Sequence, residues 1–149
     1  MVPARITAVT IGARDVATLR DFYARLGWEV AVDLPEFVAL RTHGAVLTLY
    51  DREALSRDTG LPPAAQDGLP GVVIALNVET PAEVDETVAS VRAAGGRVAR
   101  EPVDTPFGGR DAYVADPEGN LWEVVWVPAG NEMHAVLLEA AGRAADAAS

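Results

Sequence analysis

Glu123 is the residue whose type and position most need a chemical explanation. It lies inside the apolar run Leu121 to Trp126, within the stretch DPEGNLWEVVW that begins at Asp116. An unpaired carboxylate is costly to bury, so such a group normally has a partner or a task. The spacing therefore marks Glu123 as the first candidate for chemistry in this chain.

Other reactive groups are scarce. The 149 residues include no cysteine and only two histidines, His43 and His134. This composition excludes disulfides, zinc-thiolate sites and thiol nucleophiles, and it leaves too few histidines for a histidine-rich metal site. The formal net charge of −10 argues against a nucleic-acid or anionic-membrane surface, whereas a small neutral or cationic partner stays open.

Nothing in the hydropathy pattern indicates a membrane protein. No apolar run approaches the roughly 18 residues that span a bilayer, and the first residues lack the basic start and apolar stretch of a signal peptide. We therefore expect a cytoplasmic protein without a membrane partner.

The elements that must position these residues alternate in a regular order. Residues 4–51 predict a strand, a helix capped by Asp15 and stopped by Gly27, and three strands. Residues 52–70 form a Pro- and Gly-rich connector with one short possible helix. Residues 71–127 repeat the order, with Thr80 as the helix N-cap. The strands are predicted in ARITAVTIGARD, WEVAVDL, EFVALRT, AVLTLYD, GVVIALNV, RVAREPV, GGRDAYVAD and NLWEVVWVP.

The two halves can be aligned on their own residues. LGWEVAVD matches AGGRVARE, and RTHGAVLTLYD matches DPEGNLWEVVW with Gly44 over Gly119. The sequence therefore predicts an α+β fold of two tandem βαβββ modules in one domain, residues 1–127. Residues 128–149 predict a C-terminal helix and a frayed tail, with Met133, Val136 and Leu137 on one helix face.

The tandem order, the entry GARDVATLRDFYARLGW and the closing DPEGNLWEV resemble the vicinal oxygen chelate superfamily of glyoxalase I, bleomycin-resistance proteins and extradiol dioxygenases. The resemblance covers residues 4–127. It implies a curved mixed sheet around a cleft, with helices on the outer face. It also implies a homodimer, to which the terminal helix would add through the face just named.

The resemblance further implies four metal-ligand positions, which fall on Ala8, Thr48, Val73 and Glu123. Alanine and valine cannot bind a metal, and threonine is a weak neutral substitute for a carboxylate or imidazole. We therefore expect a member without metal or other cofactor.

Strand alternation predicts which side chains face the cleft. Leu121 and Val125 share the face of Glu123, whereas Trp122 and Trp126 point into the core beneath the helices. The other cleft candidates are mostly small or apolar with a few polar groups, which is typical of an organic-ligand pocket. The cleft candidates for ligand binding are Thr10, Thr48, Tyr50, Asn77 and Glu123, and the rim candidates are Phe37, Phe107, Arg110 and Tyr113. The last three lie in or beside a loop whose consecutive glycines permit mobility.

Three uses of Glu123 stay open. Its carboxylate could be satisfied by Thr48, Asn77 or water as a remnant of a metal site, or it could accept a hydrogen bond or charge from a ligand amine. It could also be a general base whose pKa is raised by its apolar neighbours.

The leading hypothesis is a metal-free protein that sequesters a small, largely apolar and aromatic ligand such as an antibiotic. One alternative is a metal-independent lyase, isomerase or cyclase with Glu123 as general base and Tyr50 or Asn77 polarising a carbonyl. A metal-dependent glyoxalase or dioxygenase with ligands drawn from elsewhere is the other alternative.

Overall fold

A computed structural model describes residues 1–65 and 67–147, with side chains up to residue 142. The chain divides into two compact units, one formed by Met1–Pro63 with the end of the chain from Ala140, the other by Ala64–Glu139. No helix in these described residues is long and apolar enough to cross a membrane.

The first unit contains a four-stranded mixed sheet in the order β1-β4-β3-β2, in which β1 is parallel to β4 and the other pairs are antiparallel. Its elements are β1 (Ala8–Ala13), α1 (Val16–Arg25), β2 (Glu29–Leu34), β3 (Phe37–Arg41), β4 (Val46–Asp51) and α2 (Arg52–Thr59).

Helix α1 begins and ends where its sequence requires. The Asp15 side chain accepts a hydrogen bond from the Thr18 amide at 3.0 Å, and Gly27, just past the end, has a φ of 89° that favours glycine. The helix buries an apolar face against β2, β3 and β4. The buried side chains are Val16, Leu19, Phe22 and Tyr23 from the helix and Ile11, Val38, Leu40, Leu47 and Leu49 from the sheet.

The second unit repeats this arrangement with the strand order β5-β8-β7-β6. Thr80 caps its helix by accepting from the Glu83 amide at 3.2 Å, and Val84, Val88 and Val91 form the buried helix face. The elements are β5 (Ile74–Asn77), α3 (Pro81–Ala93), β6 (Arg97–Asp104), β7 (Arg110–Ala115) and β8 (Leu121–Trp126), followed by the last helix of the chain, α4 (Glu132–Ala147).

Two tandem βαβββ modules are thus confirmed, and strands β1 and β5 begin later than the sequence indicated. In the first sheet the pairing begins with Ala8 and Val46, the first residue of β4, and the Thr7 carbonyl just before β1 accepts from the Val46 amide at 2.9 Å. In the second sheet it begins with Ile74 and Trp122.

Each sheet has one face packed against the helix of its own module, and we call the opposite side its open face. Equivalent residues of the two modules are paired in the same way within each sheet. Thr10, Thr48, Ala39 and Val32 are paired in a row across the first sheet. The equivalent row across the second sheet contains Ala75, Glu123, Tyr113 and Arg100.

Candidate functional site

Glu123 lies in the middle of β8 on the open face of the second sheet. Its paired neighbours are Ala75 on β5 and Tyr113 on β7. Trp122 and Val124 point to the other face, where both are buried and α3 packs. Alternation along β8 therefore holds, and the side chain of Glu123 is half-buried.

The hydrogen-bond partner of Glu123 is Tyr113, which the sequence placed at the rim as a stacking aromatic. The phenol donates to Oε1 at 3.3 Å, and Oε2 has no hydrogen-bond partner among the described residues. Burial, then the negative charge of Glu123 and this hydrogen bond, raise the pKa of Tyr113. The phenol therefore remains a proton donor at neutral pH.

Arg100 ends this row, and Asp111 lies on the same face two residues before Tyr113 on β7; sequence reasoning missed both. The Arg100 guanidinium lies 4.8 Å from the centre of the Tyr113 ring and forms an ion pair with Asp111, which is 6% exposed. The register between β6 and β7 shifts on both sides of Arg100. Counting alternate residues from the sequence therefore cannot assign the face of Arg100. Asp111 could have been placed from the sequence, because it lies two residues from Tyr113 on β7 and alternation puts both on the same face.

Asn77 lies on the same open face, at the end of β5. It pairs with Val125, one pair along from Ala75 and Glu123. Its side chain is exposed, whereas Val125 is buried. The open face of the second sheet thus carries the exposed side-chain amide of Asn77 as well as the row that contains Glu123 and Tyr113.

Arg110 lies on the helix side of the second sheet, away from Glu123. Its guanidinium donates to both carboxylate oxygens of Asp85 on α3 at 2.8 and 2.9 Å and to Asp104 at 2.9 Å. These carboxylates raise the pKa of Arg110. The position differs from the expected rim because β7 begins at Arg110, so alternation directs its side chain toward the helix.

Phe107 lies in the loop between β6 and β7 and is 44% exposed. The loop expected to be mobile is closed by three hydrogen bonds, from Thr105 N to Gly109 O, from Gly108 N to Thr105 O and from Gly109 N to the Thr105 hydroxyl. A Cβ at Gly109 would overlap the Phe107 ring and the carbonyl oxygen of Trp126. Gly109 thus serves close packing at this position.

Thr10 and Thr48 form a satisfied pair on the open face of the first sheet. Their hydroxyl oxygens lie 2.7 Å apart, and the Thr48 hydroxyl also lies 3.4 Å from the carbonyl oxygen of Val9. Thr48 is 6% exposed. This pair fills the centre of the face with two small side chains.

Aromatic side chains occupy one end of that face. The rings of Phe37 and Tyr50 meet edge to face with centroids 5.8 Å apart. With Leu34, Pro35 and Glu36 they line an open groove of about 650 Å³. The Tyr50 hydroxyl donates to Asp58 of α2 at 2.7 Å, which raises the pKa of Tyr50 and ties α2 to this end of the sheet.

The residues present do not fit the metal of the resembling enzymes. Of the four implied positions, Ala8 and Val73 carry no donor and the Thr48 hydroxyl is engaged by Thr10, so Glu123 alone offers a strong ligand. No group of three His, Cys, Asp or Glu side chains that could hold a metal occurs in the described part of the chain.

The two histidines do not change this result. His134 lies in the first turn of α4, with its Nδ1 3.0 Å from the carbonyl oxygen of Val127, and His43 lies in the turn before β4.

The chain is similar in structure to several solved proteins. A glyoxalase-related enzyme from Fulvimarina pelagi shares 30% identity at a TM-score of 0.78, and the alignment covers 85% of this chain and 90% of that enzyme. A glyoxalase/bleomycin resistance protein/dioxygenase from Nocardioides shares 26% identity at a TM-score of 0.73, with 88% of each chain covered. A lactoylglutathione lyase from Agrobacterium tumefaciens shares 25% identity at a TM-score of 0.64 and covers 83% of this chain and 94% of its own.

The sequence comparisons lead to one assignment. No curated protein sequence matches the chain. The family model described as Glyoxalase/Bleomycin resistance protein/Dioxygenase superfamily matches residues 5–124, which is most of the chain. The chain therefore belongs to the glyoxalase/bleomycin resistance protein/dioxygenase superfamily.

Proposed function

We propose that this protein binds a small, largely apolar organic molecule without a metal ion, in the manner of a sequestering protein, with an aromatic compound such as a planar antibiotic as the natural fit. The observation that carries the proposal is the groove of Leu34, Phe37 and Tyr50 on the open face of the first sheet. Binding without a metal is supported by the four implied ligand positions, because Glu123 is the one carboxylate among them.

The groove has the size and lining of an organic-ligand site. Its volume of about 650 Å³ lies within the usual range of ligand pockets, roughly 300 to 1,000 Å³. Leu34 is 56% exposed and Val32, on the same face, is 40% exposed. Covering these side chains with a ligand removes apolar surface from water, and the ring of Phe37 adds a stacking surface.

Calorimetry against a panel of planar natural products tests the proposal. We expect at least one compound to bind in chelator-treated buffer, and we expect Phe37→Ala to weaken it about tenfold because the ring supplies much of the contact area. Leu69→Ala is the matched control, since it truncates an exposed apolar residue of the connector. Absence of binding across the panel, together with an activity restored by added metal, would contradict the proposal and favour a metal-dependent enzyme.

A metal-independent lyase, isomerase or cyclase is the second candidate. The observation that favours it is the hydrogen bond from Tyr113 to Glu123, which brings a proton acceptor and a protonated phenol together on one face. Glu123 would remove a proton from the substrate, and Tyr113 or Asn77 of the same sheet would donate to a carbonyl.

Glu123→Gln separates the two candidates. If the carboxylate is the base, turnover of an enolisable carbonyl substrate should fall by at least about a hundredfold while the substrate still binds. If Glu123→Gln binds and turns over the substrate as well as the unsubstituted protein does, Glu123 is not the general base.

We also propose that the protein is a homodimer. Met133 and Val136 on α4 are 53% and 55% exposed, and an apolar helix face of this kind is commonly covered by a partner.

A further inference from the structure

The carboxylate of Glu123 is oriented by one of its two oxygens only. Tyr113 donates to Oε1, and no described residue donates to Oε2. The neighbour on the other side, Ala75, carries only a methyl group and is exposed. Ala75 thus leaves a small, exposed neighbour beside Glu123 on the side away from Tyr113.

The nearby basic group is already engaged. Arg100 forms an ion pair with Asp111 and stacks on the Tyr113 ring, and no ion pair joins it to Glu123. The other arginine of this face, Arg97, directs its guanidinium toward the turn at Gly119. A cation that approaches over Ala75 consequently meets a carboxylate that forms no ion pair with any side chain the structure describes.

We infer that Oε2 of Glu123 accepts a hydrogen bond from a protonated nitrogen of the ligand, so that the open face of the second sheet binds small organic ammonium compounds. The apolar body of such a compound would contact Ala75 and Leu121, which lie beside Glu123 on this face and are exposed or half-buried. This is a different site from the groove of Phe37 and Tyr50 on the first sheet, so the inference goes beyond the proposed function and does not depend on it. Charge-assisted hydrogen bonds are the stronger kind, so the nitrogen should give selectivity as well as affinity.

Three indoles of similar shape and different charge test the inference. These are tryptamine, which carries an ammonium group at neutral pH, neutral 3-ethylindole and anionic indole-3-propionate. Titration into ¹⁵N-labelled protein at pH 7 measures each affinity and shows which amides respond. We expect tryptamine to bind about tenfold more tightly than 3-ethylindole, with indole-3-propionate weakest, and we expect shifts at Ala75, Tyr113 and Glu123.

Two substitutions locate the effect. In Glu123→Gln the advantage of tryptamine should shrink to within about twofold while 3-ethylindole binds as before, because the amide keeps the shape and loses the charge. In Ala75→Leu the added side chain should fill the approach to Oε2 and weaken tryptamine. Glu132→Gln, the same change at an exposed position at the start of α4, should leave all three affinities unchanged.

The outcomes separate this inference from the proposed function. Equal affinities for tryptamine and 3-ethylindole would overturn the ammonium site alone. So would a preference for tryptamine that survives Glu123→Gln, provided that the dispersed amide spectrum shows that the variant is folded. In that case binding of 3-ethylindole that Phe37→Ala weakens would leave the proposed function standing. Failure of tryptamine to bind would overturn the inference, whereas the proposed function is tested separately by the panel of planar compounds and by Phe37→Ala.

Discussion

Two carboxylates near the end of the second unit have opposite situations. Asp116 is fully buried and accepts hydrogen bonds from the amides of Glu118 and Asn120 and from the Asn120 side chain. Glu123 is half-buried and has one partner, Tyr113. Asp116 therefore stabilises the turn between β7 and β8, whereas Glu123 keeps acceptor capacity for a ligand.

Asp116→Ala should strongly destabilise the protein. The substitution leaves three donors without their acceptor at a buried position, which corresponds to a loss of about 2–4 kcal/mol in the free energy of unfolding. Urea denaturation followed by tryptophan fluorescence measures this loss. Asp67→Ala, at an exposed position of the connector, is the control and should change stability by less than about 0.5 kcal/mol. Equal effects of the two substitutions would show that the turn does not depend on the carboxylate.

Tyr113 should titrate later than an ordinary tyrosine. Burial and the neighbouring Glu123 raise its pKa, and ¹³C NMR of labelled tyrosine rings can follow Tyr113 above pH 9. Because the folded pKa is raised, the stabilisation is fully present below the unfolded value of about 10 and is lost as pH rises through the folded value. Glu123→Gln should move the titration down toward the ordinary value. A titration of Tyr113 unaffected by this substitution would contradict the contact.

At the scale of elements, the loop from Thr105 to Gly109 shows why one glycine cannot be replaced. The Phe107 ring and the Trp126 carbonyl occupy the space that a Cβ at Gly109 would need. A side chain would displace a ring and also a backbone group of β8. Gly109 thus allows the loop to pass close to the end of β8.

Gly109→Ala should destabilise the protein by about 1–3 kcal/mol, the usual cost of overpacking. The melting temperature and urea midpoint measure the effect. Gly71→Ala is the matched control, because nothing lies within 4 Å of a Cβ there. The double variant Gly109→Ala, Phe107→Ala should recover only part of the loss, since the clash with the carbonyl remains. Full recovery would mean that the ring alone limits the position.

The sequence predicts the elements of this fold well because their ends carry local signals. Asp15 and Thr80 cap the helices that follow them, and Gly44 and Gly119 both have positive φ values, 97° and 91°, in the turns aligned from the repeat. Regular alternation also places Glu123 on the correct side of β8. Each of these features depends on neighbours within a few residues, so no tertiary information is needed.

The partners of the candidate residues are beyond such signals. The contact between Tyr113 and Glu123 depends on the register of β7 against β8, and the stacking of Arg100 depends on two register shifts in β6. The sequence also does not show that β7 begins at Arg110, because two glycines precede it. This strand start places the Arg110 side chain toward Asp85. Register and bulges come from packing across strands, which one strand's pattern does not encode.

At the scale of the whole molecule, two units with one register carry different chemistry on their open faces. The first presents Val32, Leu34 and the Phe37 and Tyr50 rings, and the second presents the row from Arg100 to Glu123. The superfamily assignment accounts for the repeated architecture. The differences between the two faces are specific to this chain and carry the functional proposals.

The proposed homodimer has a direct test. Native mass spectrometry at micromolar concentration should show twice the chain mass of 15.7 kDa. Val136→Glu with Met133→Glu should shift the protein toward the monomer, because charges on the apolar face of α4 would be desolvated at an interface. Glu132→Gln on the same helix should leave the mass unchanged. A monomer at tens of micromolar would exclude a stable dimer.

The shared register of the two sheets also bears on misfolding. Because β4 and β8 occupy equivalent places, β8 has the strand pattern to insert between β1 and β3 in the wrong sheet. Such an exchange would put Glu123 where Thr48 is 6% exposed, beside Thr10 and Ala39 and without Tyr113. Replacing the small Thr48 by a carboxylate at this buried place carries a desolvation cost, so we expect Glu123 to disfavour that arrangement.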